Sequence, residues 1–277
     1  MAVNVKFLTN NYFCFDYNVP YKINEEYTLN ISPIKIPFSN MFLDNVDILQ
    51  IDKNASDSVE IIQMSYLKFL LYIFLNPEME KIYKLKLSVI LSACLSLDDW
   101  EIILDEKSRA FLLDNKTNQK ISAKQFDEIK KIILYQNLPH YDDEYINPDL
   151  KKSMEEKDRL TQKDIDPPDL ERRMAIITAH TGLSKQFQME MTMRSHQMLF
   201  EEVYSEVEYT TIRPIALYAG KAGDIHWIFK KKKDKFEGYI TSVEQVNKSM
   251  GGSGKVKSTT IDNPSLNINI NEFLGGK

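Results

Sequence analysis

The sequence predicts an α+β fold that is predominantly helical. A small N-terminal β region leads into a helical core, then into a C-terminal helical region and a flexible tail. Three observations carry this expectation. Residues 1–38 are rich in aromatic and β-branched residues and broken by Asn and Pro. Residues 57–98 hold dense apolar runs at helical spacing. Only nine of 277 residues are glycine, the first is Gly182, and six lie at or beyond Gly238.

Along the chain, Tyr12-Phe13-Cys14-Phe15, Tyr17–Ile23 and Tyr27–Ile36 read as strands, punctuated by Asn18, Pro20, Asn24, Pro33 and Pro37. With no glycine available, two-residue Asn-Gly hairpins are excluded here. Asp57 or Ser58 then caps a helix whose apolar set, including Ile61, Met64, Leu67, Phe69, Leu70 and Phe74, exceeds one face. Such a helix is buried almost all round. Asn76-Pro77 breaks it, and a second helix runs from Met79 to about Leu97.

Trp100–Leu104, Ala110–Leu113 and Lys120-Ile121 read as short strands about a turn at Asp114–Asn118. Ser122 or Ala123 opens a helix through Phe126, Ile129, Ile132 and Tyr135 that closes at Asn137-Leu138-Pro139. These elements make an N-terminal α+β domain over 1–138, with its β region at about 1–50 and helices at about 57–98 and 123–137. Residues 139–168 are polar, proline-marked and read as a linker around a charged helix at Asp149–Leu160. A C-terminal helical domain follows at 169–249. Within it Asp169 caps a helix to about His180, Thr181-Gly182 turns the chain, and Ser184 caps a longer helix to about Val207. Thr210–Ala219 reads as a further helix, and 250–277 as a flexible tail.

The glycine distribution excludes phosphate cradles over residues 1–181, because both the Rossmann fingerprint and the Walker loop need glycine for close backbone approach. Gly254-Lys255 does not restore one, since Ser249 and Val256 stand where a Walker loop needs Gly and Ser or Thr. The net charge of −5 is polarised: residues 220–277 carry ten Lys against six acids, which leaves −9 for residues 1–219. An acidic body repels phosphates and anionic headgroups, so membrane and non-specific nucleic-acid binding are disfavoured. The same asymmetry would favour head-to-tail self-association. No run of the roughly 20 apolar residues needed to span a bilayer occurs, and the N-terminus has no basic region leading into an apolar one. A cytosolic, reduced protein is expected, with Cys14 and Cys94 as buried thiols.

No catalytic constellation emerges. His140, His180, His196 and His226 lie at no metal-binding spacing from one another, and no HExxH motif or nucleophile elbow occurs. The acidic doublets Asp98-Asp99 and Glu201-Glu202 read as solvated faces or caps. Neither a metal, a cofactor nor a catalytic residue is assigned. Residues 170–207 have the length and turn of a helix-turn-helix, but the second helix, Lys185–Arg194, holds two bases, one acid and many apolar side chains. Its methionines either furnish an adaptable partner surface or fill an irregular core.

Several stretches taken in order resemble one family. They are Ile31-Ser32-Pro33-Ile34-Lys35-Ile36, Met64–Leu70, the helix Ile121–Asn137, Asp143–Leu150, and Thr181-Gly182-Leu183-Ser184 leading to Met191-Thr192. The succession is similar to tail assembly chaperones and related tail-module proteins of tailed phages of Gram-positive bacteria. The resemblance implies a multi-copy, α-rich, non-enzymatic protein of the host cytoplasm. It would coat the tape-measure protein and keep it soluble until tail-tube protein polymerises around it. On this reading Phe187, Met189, Met191, Met193 and Met198 are the expected partner-contacting residues. A structural virion subunit of the tail or neck, and a DNA-binding regulator using residues 170–207, are the alternative readings.

Overall fold

The computed structural model describes residues 3–56, 58–143, 148–161 and 167–219. His226, Gly254-Lys255 and the expected tail lie outside the described residues, as do 144–147 and 162–166 of the expected linker. Ten α-helices and five strands occur among the described residues. The predominantly helical α+β class holds.

The N-terminus departs from its strand-like composition. Asn4 caps helix α1 (Val5–Asn11), accepting from the Phe7 amide at 3.0 Å. Phe13–Phe15 then forms a 3-10 turn, and Asp16 reverses the chain in the left-handed region at φ 57°. Aromatic content mimicked a strand there, but the segment has no partner strand and instead buries Phe13 as a plug. Strands β1 (Val19–Lys22) and β2 (Thr28–Ile31) pair antiparallel with Val19 opposite Ile31. The Asn24 side chain organises their loop by accepting from the amides of Glu26 and Tyr27. Beyond them, 3-10 turns at Ile36–Phe38, Val46–Leu49 and Lys53–Ala55 flank α2 (Ser39–Leu43).

The single helix expected from residue 57 to 75 is two: α3 (Val59–Gln63) and α4 (Tyr66–Phe74), separated where Ser65 caps α4. Asn76 caps α5 (Pro77–Leu95), with Pro77 at the first helical position, where its missing N–H costs nothing. Helix α5 is not buried throughout. Leu87, Ile90, Leu91, Cys94 and Leu95 enter the core, whereas Met79, Ile82 and Leu85 in its first half are exposed.

Strands β3 (Trp100–Leu104), β4 (Ala110–Asp114) and β5 (Gln119–Ser122) form an antiparallel meander in the order β3-β4-β5. Ser122 and Gln125 then close a reciprocal capping box on α6 (Ala123–Asn137). Helix α6 is the axis of the molecule. Phe126, Ile129, Ile132, Ile133 and Leu134 are buried in one core with Leu67 and Leu70 of α4, Leu29 and Ile31 of β2, and Leu112 of β4. Each such side chain contributes about 1.5–3 kcal/mol through burial. At the end of α6, buried Asn137 accepts from the Ile34 amide at 2.7 Å and donates to the Ile133 carbonyl at 2.9 Å. That satisfies a buried backbone donor that has no ladder partner.

The C-terminal part comprises α7 (Pro148–Thr161), α8 (Leu170–Thr181), α9 (Lys185–Glu190) and α10 (Met193–Tyr218). Asp169 caps α8 and Gly182 ends it at φ 75°, a left-handed conformation that favours glycine. The long helix expected from Ser184 to Val207 is interrupted: Met191-Thr192 is extended, and Thr192 bridges Lys35 in antiparallel fashion. The break is tertiary in origin. Met193 N–H donates to the Ile34 carbonyl at 2.7 Å, and Ile36 N–H donates to the Met191 carbonyl at 3.0 Å. The stretch expected as a separate helix at Thr210–Ala219 continues α10, which contains Pro214.

Candidate functional site

The five expected contact residues fall in three environments. Phe187 and Met189 on α9 are 53% and 47% exposed. Met191 and Met198 are half-buried. Met193, at 9%, belongs to the hydrophobic core. The cause is the chain break at Met191-Thr192, which directs Met193 into the body while α9 stays at the surface.

What turns Phe187 and Met189 outward is the residue between them. Gln188 is fully buried, and its amide nitrogen donates to Thr178 Oγ1 at 2.9 Å and to the carbonyls of Met174 and Leu183 at 3.2 Å. Its carbonyl oxygen lies 3.2 Å from His196 Nε2, so the neutral imidazole donates there. Burial, and then the charge of Arg173, hold the His196 pKa below the ordinary value. Successive helical residues point about 100° apart, so anchoring Gln188 inward leaves its two neighbours on the outer flanks.

Helix α9 packs beside the Ile36–Phe38 turn. Phe38 and Met41 there are themselves exposed, and they line a groove of about 900 Å³ with Val89, Ala93, Glu190 and Thr192. Sequence reasoning missed Phe38 and Met41. Their one signal was a Pro37-Phe38 step inside a region of strand-like composition. A second apolar exposure, Tyr72, Leu75, Met79, Ile82 and Leu85, runs over the α4–α5 junction, although the first of these helices is expected to be buried almost all round.

The same geometry bears on the helix-turn-helix expectation. Helix α9 has six residues, and the stretch to Arg194 is not one helix. Arg194 turns inward: it donates to the Tyr135 carbonyl at 2.7 Å and its guanidinium stands over the Phe13 ring. Lys185 lies 3.9 Å from Glu171.

For covalent or metal chemistry the inventory is short. Cys14 is exposed, contrary to the expectation of two buried thiols, while Cys94 is buried and its thiol is pushed up to about 12 by desolvation. Among the described residues no group of three or more His, Cys, Asp or Glu is arranged to hold a metal ion. No helix of the described residues is long and apolar enough to cross a membrane. Compared with protein-family models, with curated proteins and with solved structures, the chain matches none.

Proposed function

We propose that this chain is a tail assembly chaperone of a tailed phage, acting in the host cytoplasm, which covers apolar helical faces of the tape-measure protein until tail-tube protein replaces it. The observation that carries the reading is the outward presentation of Phe187 and Met189. They stand on a short helix fixed by buried Gln188, beside a groove rimmed by Phe38 and Met41. Exposed Met and Phe on a rigid support suit a client recognised by apolar pattern, because Met adapts its shape to varied partners. The acidic charge of residues 1–219 would keep a complex with an aggregation-prone client in solution.

Co-expression with the tape-measure protein tests the proposal. Phe187→Ser combined with Met189→Ser should reduce client recovered in the soluble fraction roughly 10-fold or more, as expected for the loss of two apolar anchors. Undiminished co-purification with the double variant would refute the assignment of this face.

A further inference from the structure

A second cavity, of about 1130 Å³, opens on the body between the Leu43–Asn54 segment, α6, the loop after it, α8 and α10. Its wall brings together cations from separate parts of the sequence: Lys53, Lys130, Lys131 and Arg173. Three of these cations are already engaged. Lys53 Nζ donates to the carbonyls of Ile62 and Met64. Lys131 is paired with Asp143, and Arg173 donates to Gln197 at 2.8 Å and to the Pro168 carbonyl at 2.8 Å.

Lys130 differs. Its ammonium sits 3.6 Å from the centroid of the Tyr66 ring, a cation–π contact. Among the described residues no carboxylate lies within ion-pairing distance of it. The Tyr66 hydroxyl is committed elsewhere, donating to the Ile48 carbonyl at 2.7 Å and accepting from the Ile51 amide at 3.2 Å. Burial depresses the Lys130 pKa to about 8; the nearby Asp127 charge opposes this, and those of Lys53 and Lys131 add to it. A largely buried ammonium has three N–H donors, and the ring face satisfies none of them as an oxygen acceptor would.

Three carboxylates, Asp52, Asp142 and Asp143, share the wall, and Asp127 lies near Lys130 without pairing to it. Asp143 is held by Lys131 and by the Tyr135 hydroxyl at 2.5 Å, and Asp52 accepts from the Asn54 amide at 3.0 Å. Apolar side chains, Leu43, Leu49, Leu138 and Tyr141, share the wall with polar ones such as Gln50, Asn137 and Gln197. We infer that this cavity is a carboxylate-binding site, in which the Lys130 ammonium anchors an acidic side chain presented between apolar neighbours of a peptide segment. An anion there would gain a charge-assisted hydrogen bond in a partly desolvated setting, where such bonds are strongest. The volume exceeds what a bare ion needs and suits an acidic residue together with its flanking side chains. This inference stands on the cavity alone and does not rest on the chaperone reading.

Protection from acetylation tests it on the full chain. A limiting dose of an amine-acetylating reagent is given at pH 8, and the rate at each lysine is read by mass spectrometry. N-acetyl-Leu-Glu-Leu-amide should slow acetylation of Lys130 several-fold and leave exposed Lys81 unaffected, whereas the Gln counterpart should protect neither. Lys130→Met should weaken binding of the Glu peptide roughly 10-fold or more in calorimetry, and Lys130→Arg should restore part of it. Protection by the peptide but not by equal acetate supports a peptide site. Equal protection by acetate keeps the carboxylate assignment but moves its source to small acids and overturns the peptide part. Equal protection by the Glu and Gln peptides, or none by any probe, overturns the proposal.

Discussion

Thr192 donates its hydroxyl to Asp16 Oδ1 at 2.6 Å across a separation of 176 residues. The same oxygen accepts from Ser195 Oγ at 2.7 Å, while Thr192 Oγ1 also caps α10 by accepting from the Ser195 amide at 3.1 Å. One carboxylate thus fastens the first turn of α10 to the N-terminal turn that carries Phe13.

Removing that carboxylate should loosen the C-terminal helices before it unfolds the body. Asp16→Ala loses two hydrogen bonds to a charged acceptor and places a Cβ-branched-free but non-glycine residue at φ 57°, where Asp and Asn are better tolerated. We expect a loss of about 2–4 kcal/mol in chemical denaturation. Asp16→Asn, which keeps the backbone tolerance and one acceptor oxygen, should lose less than half of that. Hydrogen exchange should show faster opening of the amides of Met193 and Ile36 in Asp16→Ala than of those in α6. Uniform acceleration across both would contradict a local fastening role.

Much of this architecture was written in local chemistry. Asn76-Pro77, Ser122, Asp169 and Gly182 each mark a helix end through a cap or a left-handed turn, and each end lies where those residues indicate. The failures share a different cause. Tyr12–Phe15 has strand composition but no ladder partner, and Met191-Thr192 has helical surroundings but pairs with Lys35. Both outcomes depend on contacts between distant segments, which periodicity along one segment does not encode. The candidate sites follow the same division. Phe187 and Met189 were legible as apolar residues behind a Ser184 cap, but not as exposed, since surface and core readings stood open for the whole segment. The burial of Met193 was not legible because its direction depends on the bridge, and the lysine cavity was invisible because it assembles residues 43–54, 130–131 and 173.

Acid should act on the α8–α9–α10 junction through His196. Its pKa is depressed in the folded protein, so below about pH 6.5 the unfolded chain binds a proton that the native imidazole refuses. Stability contributed by the neutral ring is therefore full above the unfolded value and is lost as pH falls through and below it. Protonation would also set a second charge against Arg173 in a buried site. Stability measured from pH 7 to 5 should fall more steeply in the wild type than in His196→Gln, which cannot titrate and retains a donor toward Gln188. Identical slopes would show that His196 does not report this junction.

Alkali should act with the opposite outcome through Lys130. Its folded pKa, about 8, lies below the ordinary lysine value of about 10.5, so between these limits the unfolded chain binds more protons than the native one. Stability from this group alone rises with pH across that window, and at neutral pH the buried ammonium is a cost on the order of 3 kcal/mol. Other groups oppose the trend. The Cys94 thiol and the Tyr66 and Tyr21 hydroxyls all have raised pKa values, so the unfolded chain loses their protons first from about pH 9 upward. The difference between the wild type and Lys130→Met removes those shared contributions. Lys130→Met should be more stable than the wild type at pH 7, and the gap should shrink steadily from pH 8 to 10. A gap that is constant with pH would mean that Lys130 keeps an ordinary pKa and that its ammonium is well solvated.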